Sequence, residues 1–410
     1  MRVGPHTNDN PAHNAAFNYI ERVRPNFAKW LSPDARLIRE CRRVSPGTRH
    51  IGRTVQDQSD YGRYQAGVLS HAREFVGVVD YWEGANEHIG DQAPERVIRA
   101  FASDEVGLAR RLNEIGMGAM IGGFSTGTLD DGKFNAFEAA FQYMSAVGPG
   151  KCMLHFHEYA AAYMGFCVKT PDGKNQHPDG GSFTGISTNP AVWQDPTLRG
   201  WLVLRYRDLL PLLAARGWAG VRAVISEGGI DNTTKDPRPH AKGWKDSRGT
   251  QFENIPGLGD YAGQLRWWAW QMSHDPFIAG AVDFGWGARD WESFRLDNEP
   301  AMLERVIAGQ LTVPVGAIGS APAPQPSPRP TPAPTLRPRV TAAVEVRCIV
   351  AAGEGAAAYA GRAAGWPEAT FGQRSAWARE IAAANNLETP AFRAGIAYRL
   401  PDTWFAVKEA

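Results

Sequence analysis

Cysteine is scarce in this chain, with four residues in 410 (Cys41, Cys152, Cys167 and Cys348), no CxxC pair and no Cys/His cluster. That excludes a disulfide-stapled scaffold and a structural zinc site of ordinary spacing. A Cys152–Cys167 bridge is conceivable, but reduced and mostly buried thiols are the favoured reading. An excess of one charge is lacking too: 44 Lys and Arg face 43 Asp and Glu, for a formal net charge of +1. A general nucleic-acid binder needs a basic surplus to displace counterions from phosphates, and a polybasic membrane-surface protein also needs one. Neither fits. No run of about 18 uncharged apolar residues occurs, so no helix is expected to span a bilayer. The opening Met1-Arg2-Val3-Gly4-Pro5-His6 lacks the apolar stretch of a secretory leader, so a leader is expected to be absent or already removed.

What the chain does have is core-forming material. Hydrophobic residues make up 43% of it, with 14 Trp, 18 Phe and 11 Tyr, which excludes disorder throughout. Proline is concentrated: eight of the 19 residues from Ser320 to Pro338 are proline. Proline has no amide donor, so this stretch can neither propagate a helix nor pair as a central strand. It reads as an extended polyproline spacer, on the order of 60 Å at ~3.1 Å per residue. The expected organisation is a large domain over 1–312, a proline-rich linker over 313–339 and a small module over 340–410.

In the large domain, short β-rich runs alternate with longer amphipathic stretches, the pattern of parallel strands joined by helices. Strands are expected over 2–6, 26–31, 49–55, 75–82, 118–124, 152–157, 221–227 and 279–286. Helices are expected over 94–115, 134–145, 201–216, 261–274 and 300–310. Within 201–216, Leu202, Leu209, Leu210, Leu213 and Ala214 would share one helical face. Eight β/α units in this length predict a (β/α)8 TIM barrel. A doubly wound sheet fits less well, because no glycine-rich phosphate loop follows the first strand. The segments after the sixth and seventh strands are long and polar. In a barrel, such loops build the walls of a substrate cleft.

Two glutamates end strands that face one another across such a barrel. Glu87 closes Val79-Asp80-Tyr81-Trp82-Glu83-Gly84-Ala85-Asn86-Glu87, just past the fourth strand; Glu227 closes Ala223-Val224-Ile225-Ser226-Glu227 on the seventh. Cleaving a glycosidic bond needs one protonated carboxyl at the leaving oxygen and one ionised carboxylate at the oxocarbenium-like carbon. His6, Lys29 and Arg53 end the first three strands and could complete a polar floor. Asp80 and Glu83 are nearby carboxylates that compete with Glu87 for its role; Asp80, if it faces inward, could tune Glu87 rather than react. Trp82, Trp193, Trp244 and Trp291 are aromatic candidates for lining a cleft.

With these residues in place, the large domain resembles the retaining glycoside hydrolases of clan A. Asn86-Glu87 matches the Asn-Glu pair after strand four and Ser226-Glu227 the glutamate of strand seven. His157-Glu158-Tyr159 matches a His-x-Tyr often found at strand six, and Trp286 the aromatic residue that commonly ends strand eight. The resemblance implies that Glu87 is the general acid/base and Glu227 the nucleophile. It also implies that Tyr159 holds Glu227 in line, that His157 positions a carboxylate, and that Asn86 bonds the sugar 2-substituent. Trp286 would offer its ring to the sugar. The substrate would be an oligo- or polysaccharide, and no cofactor is required.

Two other readings compete. His155 and His157 lie on one face of a strand at a spacing that can bind a metal, as in metal-dependent hydrolase barrels, though no further ligand set is evident. A barrel that binds glycan without cleaving it is the other.

Beyond the spacer, residues 344–401 resemble a LysM glycan-binding module. Val346–Gly355 is similar to its first strand and turn, with Glu354 at the usual Asp. Ala378–Leu387 is similar to its second helix, and Gly395–Pro401 to its closing strand. An insert near 363–375 departs from the pattern. The resemblance implies a peptidoglycan- or chitin-like N-acetylglucosamine polymer as ligand, and an enzyme acting outside the cell or on its wall.

Overall fold

Alternation with a period of two places every second residue of a strand on the same face, and the large domain uses this to build its interior in layers. The computed structural model describes residues 1–8, 12–90, 92–128, 131–160, 162–171, 185–231, 243–314, 347–349 and 397–399. Eight strands run parallel and close on themselves: β1 (Gly4–Thr7), β2 (Phe27–Trp30), β3 (Arg49–Gly52), β4 (Tyr81–Glu83), β5 (Gly118–Phe124), β6 (Cys152–Ala160), β7 (Ala223–Ile230) and β8 (Ile278–Trp286). β8 pairs with β1 and so closes the ring. Each strand is followed by a helix: α1 (His13–Val23), α2 (Ala35–Val44), α3 (Tyr61–Glu74), α4 (Glu95–Glu114), α5 (Glu138–Val147), α6 (Leu210–Ala215), α7 (Tyr261–Met272) and α8 (Pro300–Leu311). This is the (β/α)8 barrel that the alternation predicts.

Three of the helices start at an aspartate that caps them. Asp34 accepts from the backbone N–H of Arg36 and Leu37 at the head of α2, Asp60 from Arg63 at α3, and Asp260 from Gly263 at α7. Pro300 opens α8, where a missing N–H costs nothing. Between helices and strands lies the main apolar core. A separate cluster of Phe27, Ile51, Tyr81, Met120, Met153, Val224 and Val282 plugs the barrel axis. Two residues further along, the same strands present Lys29, Arg53, Glu83, His155, Ser226 and Phe284. The apolar plug thus supports a polar layer at the strands' C-terminal ends.

Several expected elements are corrected. The fourth strand does not begin at Phe75: Gly77 has φ +77° and 75–80 form a turn, leaving only Tyr81–Glu83 in the barrel. The helix expected over 201–216 is broken into a 3-10 turn, Arg205–Asp208, and α6. Pro211 has no N–H to bond back to the preceding turn, and Leu204 sits at φ +61°, so a continuous helix cannot form. Cys41, Cys152 and Cys167 are buried, reduced thiols, so no Cys152–Cys167 bridge forms.

The chain divides into two compact units, 1–323 and 324–410, and the division falls inside the proline-rich stretch. The polyproline spacer lies outside the described residues. So does most of the small module expected to resemble LysM, except that Arg347–Ile349 pairs antiparallel with Ala397–Arg399. Among the described residues, no helix is long and apolar enough to cross a membrane.

Candidate active site

Glu227 faces the barrel axis because β7 carries one extra residue. His157 is opposite Glu227 while Phe156 is opposite Ile225, so a bulge at Ser226 turns two consecutive side chains inward. The Ser226 hydroxyl meets His155 Nδ1 at 2.9 Å, and the Glu227 carboxylate lies in the polar layer. Its Oε1 accepts from Arg53 Nη1 at 2.8 Å and from Lys29 Nζ at 3.0 Å; its Oε2 accepts from the Tyr159 hydroxyl at 2.9 Å. His6 Nδ1 is 4.0 Å and His157 Nδ1 3.6 Å away. Burial opposes ionisation of Glu227, yet the surrounding His157, Lys29, His6 and Arg53 hold its carboxyl well below the usual range. It is a carboxylate at neutral pH. Burial raises the Tyr159 hydroxyl well above its usual value, helped by Glu227, so it remains a donor.

Glu87 arrives differently. It sits past the end of β4 at φ +49°, a left-handed conformation uncommon for a residue with a side chain. Its N–H donates to the Gly123 carbonyl at 2.6 Å. Gly123, itself at φ +52°, must be glycine, because a Cβ there would lie 2.0 Å from the Ala85 carbonyl oxygen. Gln58 braces the preceding residue, accepting from the Asn86 N–H at 2.9 Å and donating to its carbonyl at 3.0 Å. The Glu87 side chain is 42% exposed and its Oε1 bonds His157 Nδ1 at 2.7 Å. His157 therefore reaches both carboxylates, and through this shared nitrogen their nearest oxygens are at most ~6.3 Å apart (2.7 Å plus 3.6 Å).

A cleft of about 480 Å³ opens over the two glutamates, lined among others by Arg53, Asn86, Thr126, Tyr159, Phe284 and Trp291. Asn86 Oδ1 is buried there without a hydrogen-bond partner among the described residues, an acceptor left for a ligand. Another cavity, of about 540 Å³, is bordered by Trp244, Arg248, Tyr261 and Met302; neither Glu87 nor Glu227 lines it.

Glu87, Glu227, Asn86, His157, Tyr159, His6, Lys29 and Arg53 thus converge on one place, with His6 and Lys29 beneath the cleft floor. Trp286 does not. It is 1% exposed, donates its indole N–H to Asp283 and packs edge-on against Tyr19 of α1. Strict alternation would put it beside Phe284, but Gly285, at φ +100°, bulges β8 and turns Trp286 outward. Phe284 and Trp291 supply the aromatic surface instead. Phe284 was visible as the next inward position after Val282; Trp291, one of the four tryptophans expected to line a cleft, does so from a 3-10 turn. Trp82, Trp193 and Trp244 are buried, their indoles donating to Thr54 Oγ1 and to the Pro256 and Phe294 carbonyls.

Asp80 faces outward, paired with Arg42 and Arg49, and does not touch Glu87. Glu83 is fully buried below the site. The two histidines of the metal reading serve different partners, His155 the Ser226 hydroxyl and His157 the Glu87 carboxylate. Among the described residues, no group of three or more His, Cys, Asp or Glu is arranged to hold a metal ion.

No protein-family model matches this sequence, and no curated protein does. Solved structures do resemble it in shape. A β-mannanase from Thermomonospora fusca is 14% identical, over 78% of this chain and 93% of its own, with a TM-score of 0.42. A glucosidase from Croceicoccus marinus is 11% identical, over 76% and 68%, with a TM-score of 0.44. A β-glucuronidase from Faecalibacterium prausnitzii is 10% identical, over 77% and 49%, with a TM-score of 0.42. The barrel itself is defined by its own strand pairing.

Proposed function

We propose that the barrel is a retaining glycoside hydrolase that cleaves an O-glycosidic bond by double displacement. The observation that carries this reading is the pair of unlike carboxylates joined through His157. Glu227 is buried, ionised and held by two cations and a tyrosine; Glu87 stands half-exposed at the cleft wall and bonds His157 instead. Two carboxyls with contrasting surroundings are what nucleophile and acid/base roles require. Glu227 attacks the anomeric carbon while Glu87 protonates the leaving oxygen; water, activated by Glu87, then releases the sugar. Asn86 bonds the 2-substituent, and Phe284 and Trp291 flank the ring. The bound of ~6.3 Å on their nearest oxygens accommodates the carboxyl separation of about 5–5.5 Å that double displacement uses.

The C-terminal module, read as LysM-like, would tether the barrel to an N-acetylglucosamine-containing polymer such as peptidoglycan or chitin. Tethering raises the local concentration of catalyst without altering the cleft.

A panel of defined oligosaccharides, with product anomers followed by NMR, tests the reading. Turnover with retained configuration is expected, and Glu87→Gln and Glu227→Gln should both remove it while leaving circular dichroism unchanged. Inverted product, or undiminished turnover in both variants, excludes double displacement. Glycan retention without any product supports the binding-only barrel instead, and loss of turnover with a chelator the metal-dependent one.

A further inference from the structure

Lys29 is completely buried, yet its ammonium touches two carboxylates from different strands. Nζ lies 2.9 Å from Glu83 Oε2, 3.0 Å from Glu227 Oε1 and 3.2 Å from the Ser226 carbonyl. Lys29 donates hydrogen bonds to Glu227 Oε1 and to the Ser226 carbonyl, and the Glu83 carboxylate stands against the same ammonium as an ion pair. Glu83 does not line the cleft; it is fully buried, and its other oxygen is 3.6 Å from His155 Nδ1. The charges form a balanced set, with Glu83 and Glu227 set against Lys29 and Arg53. Around Glu227 stand His6 from β1, Lys29 from β2, Arg53 beyond β3, and His157 and Tyr159 from β6, with Glu87 on the far side of His157. Without Glu83, Lys29 and Arg53 would both converge on one carboxylate.

We propose that Glu83 is a positioning residue for the reaction at Glu227 and acts by dividing the charge of Lys29, an inference that rests on Glu227 being the nucleophile. The division has two effects. A carboxylate that takes the whole of two cations is a weaker nucleophile, because its basicity falls. A site with uncompensated positive charge also disfavours the oxocarbenium-like transition state, which itself becomes positive. Glu83 offsets both while never meeting the sugar.

The test uses the full chain. Glu83→Gln should lower kcat about tenfold or more with KM little changed, and move the acidic limb of the kcat/KM profile to lower pH. In a Lys29→Met background, adding Glu83→Gln should change neither. An unmoved kcat and limb in Glu83→Gln, or the same loss in both backgrounds, overturns the proposal. Glu227→Gln, assayed alongside, separates the two claims: full turnover in that variant removes the nucleophile reading itself.

A folding measurement needs no turnover. The Tm of a Glu83→Gln/Glu227→Gln pair should fall by more than the two single changes together, since Lys29 then keeps no carboxylate, and Lys29→Met should restore it. Additive losses overturn the shared lysine. Should Glu83→Gln alone not fold, the Glu83→Gln/Lys29→Met pair must recover the fold; failure to recover also overturns it.

Discussion

Tyr159 donates its hydroxyl to Glu227 Oε2 at 2.9 Å, from a position two residues along β6 from the imidazole that bonds Glu87. One strand therefore holds an oxygen of each carboxylate, and small changes on β6 should act on chemistry more than on folding.

Tyr159→Phe removes one hydrogen bond to a charged group, an interaction worth about 1.5–3 kcal/mol. If that bond keeps Glu227 in line for attack, kcat should fall roughly 10- to 100-fold, with the circular dichroism spectrum unchanged. An unaltered kcat would show that Lys29 and Arg53 suffice to hold Glu227.

Glu87 and Glu227 should be separable by leaving group. Glu87→Gln should cost about 10²–10⁴-fold on ordinary glycosides but much less on an aryl glycoside whose leaving group needs no proton. Glu227→Gly should be inactive on both, and azide should restore turnover with inverted configuration. Rescue of the Glu87 variant, and not the Glu227 variant, to an inverted azide product would exchange the two roles.

Trp286 and Trp291 should fail in opposite ways. Trp286→Ala empties a core position and should cost about 3–5 kcal/mol of stability, read by denaturant titration. Trp291 is 38% exposed at the cleft, so Trp291→Ala should leave stability nearly intact and raise KM. The reverse pattern would contradict the bulge at Gly285.

Stability should depend on pH with a definite sign. Burial pushes the Glu105 and Asp283 carboxyls up to about 7 and Glu158 to about 8. Each binds its proton more tightly folded than unfolded, so its contribution is full at acid pH and is lost as pH rises through those values. Glu227 works oppositely: its contribution is present above the ordinary carboxylate value and lost as pH falls towards its depressed folded value. Buried His6, His50 and His155, whose imidazoles burial holds below their usual value, add stability as pH rises towards about 6.5 and offset this at the acid end. Tm should therefore decline from about pH 6.5 to 8, with a shallower decline in Glu158→Gln. A Tm that rises over that interval, measured by scanning calorimetry, would contradict the burial of these groups.

Much of this architecture was written locally. The strands are short runs whose inward positions repeat every second residue, so Lys29 follows Phe27 and Arg53 follows Ile51 into the polar layer without any reference to the rest of the chain. Pro211 was equally legible as a helix breaker, and a helix drawn across it weighs a hydrophobic face above a missing N–H. The bulges were not legible. Ser226 and Trp286 depart from alternation because β7 and β8 each carry one residue more than a neighbour, and a mismatch of that kind exists only once two strands are paired.

The sequence by itself determined the eight β/α units, the proline-rich break and the placing of Glu87 just past the fourth strand and Glu227 on the seventh, because periodicity and proline act through covalent neighbours. Tertiary structure alone decided that Lys29 would stand between Glu83 and Glu227, and that Phe284 and Trp291 rather than Trp286 would face the cleft. Those relations join residues up to 198 positions apart, and only closure of the ring brings such distant backbone segments within a hydrogen bond's length.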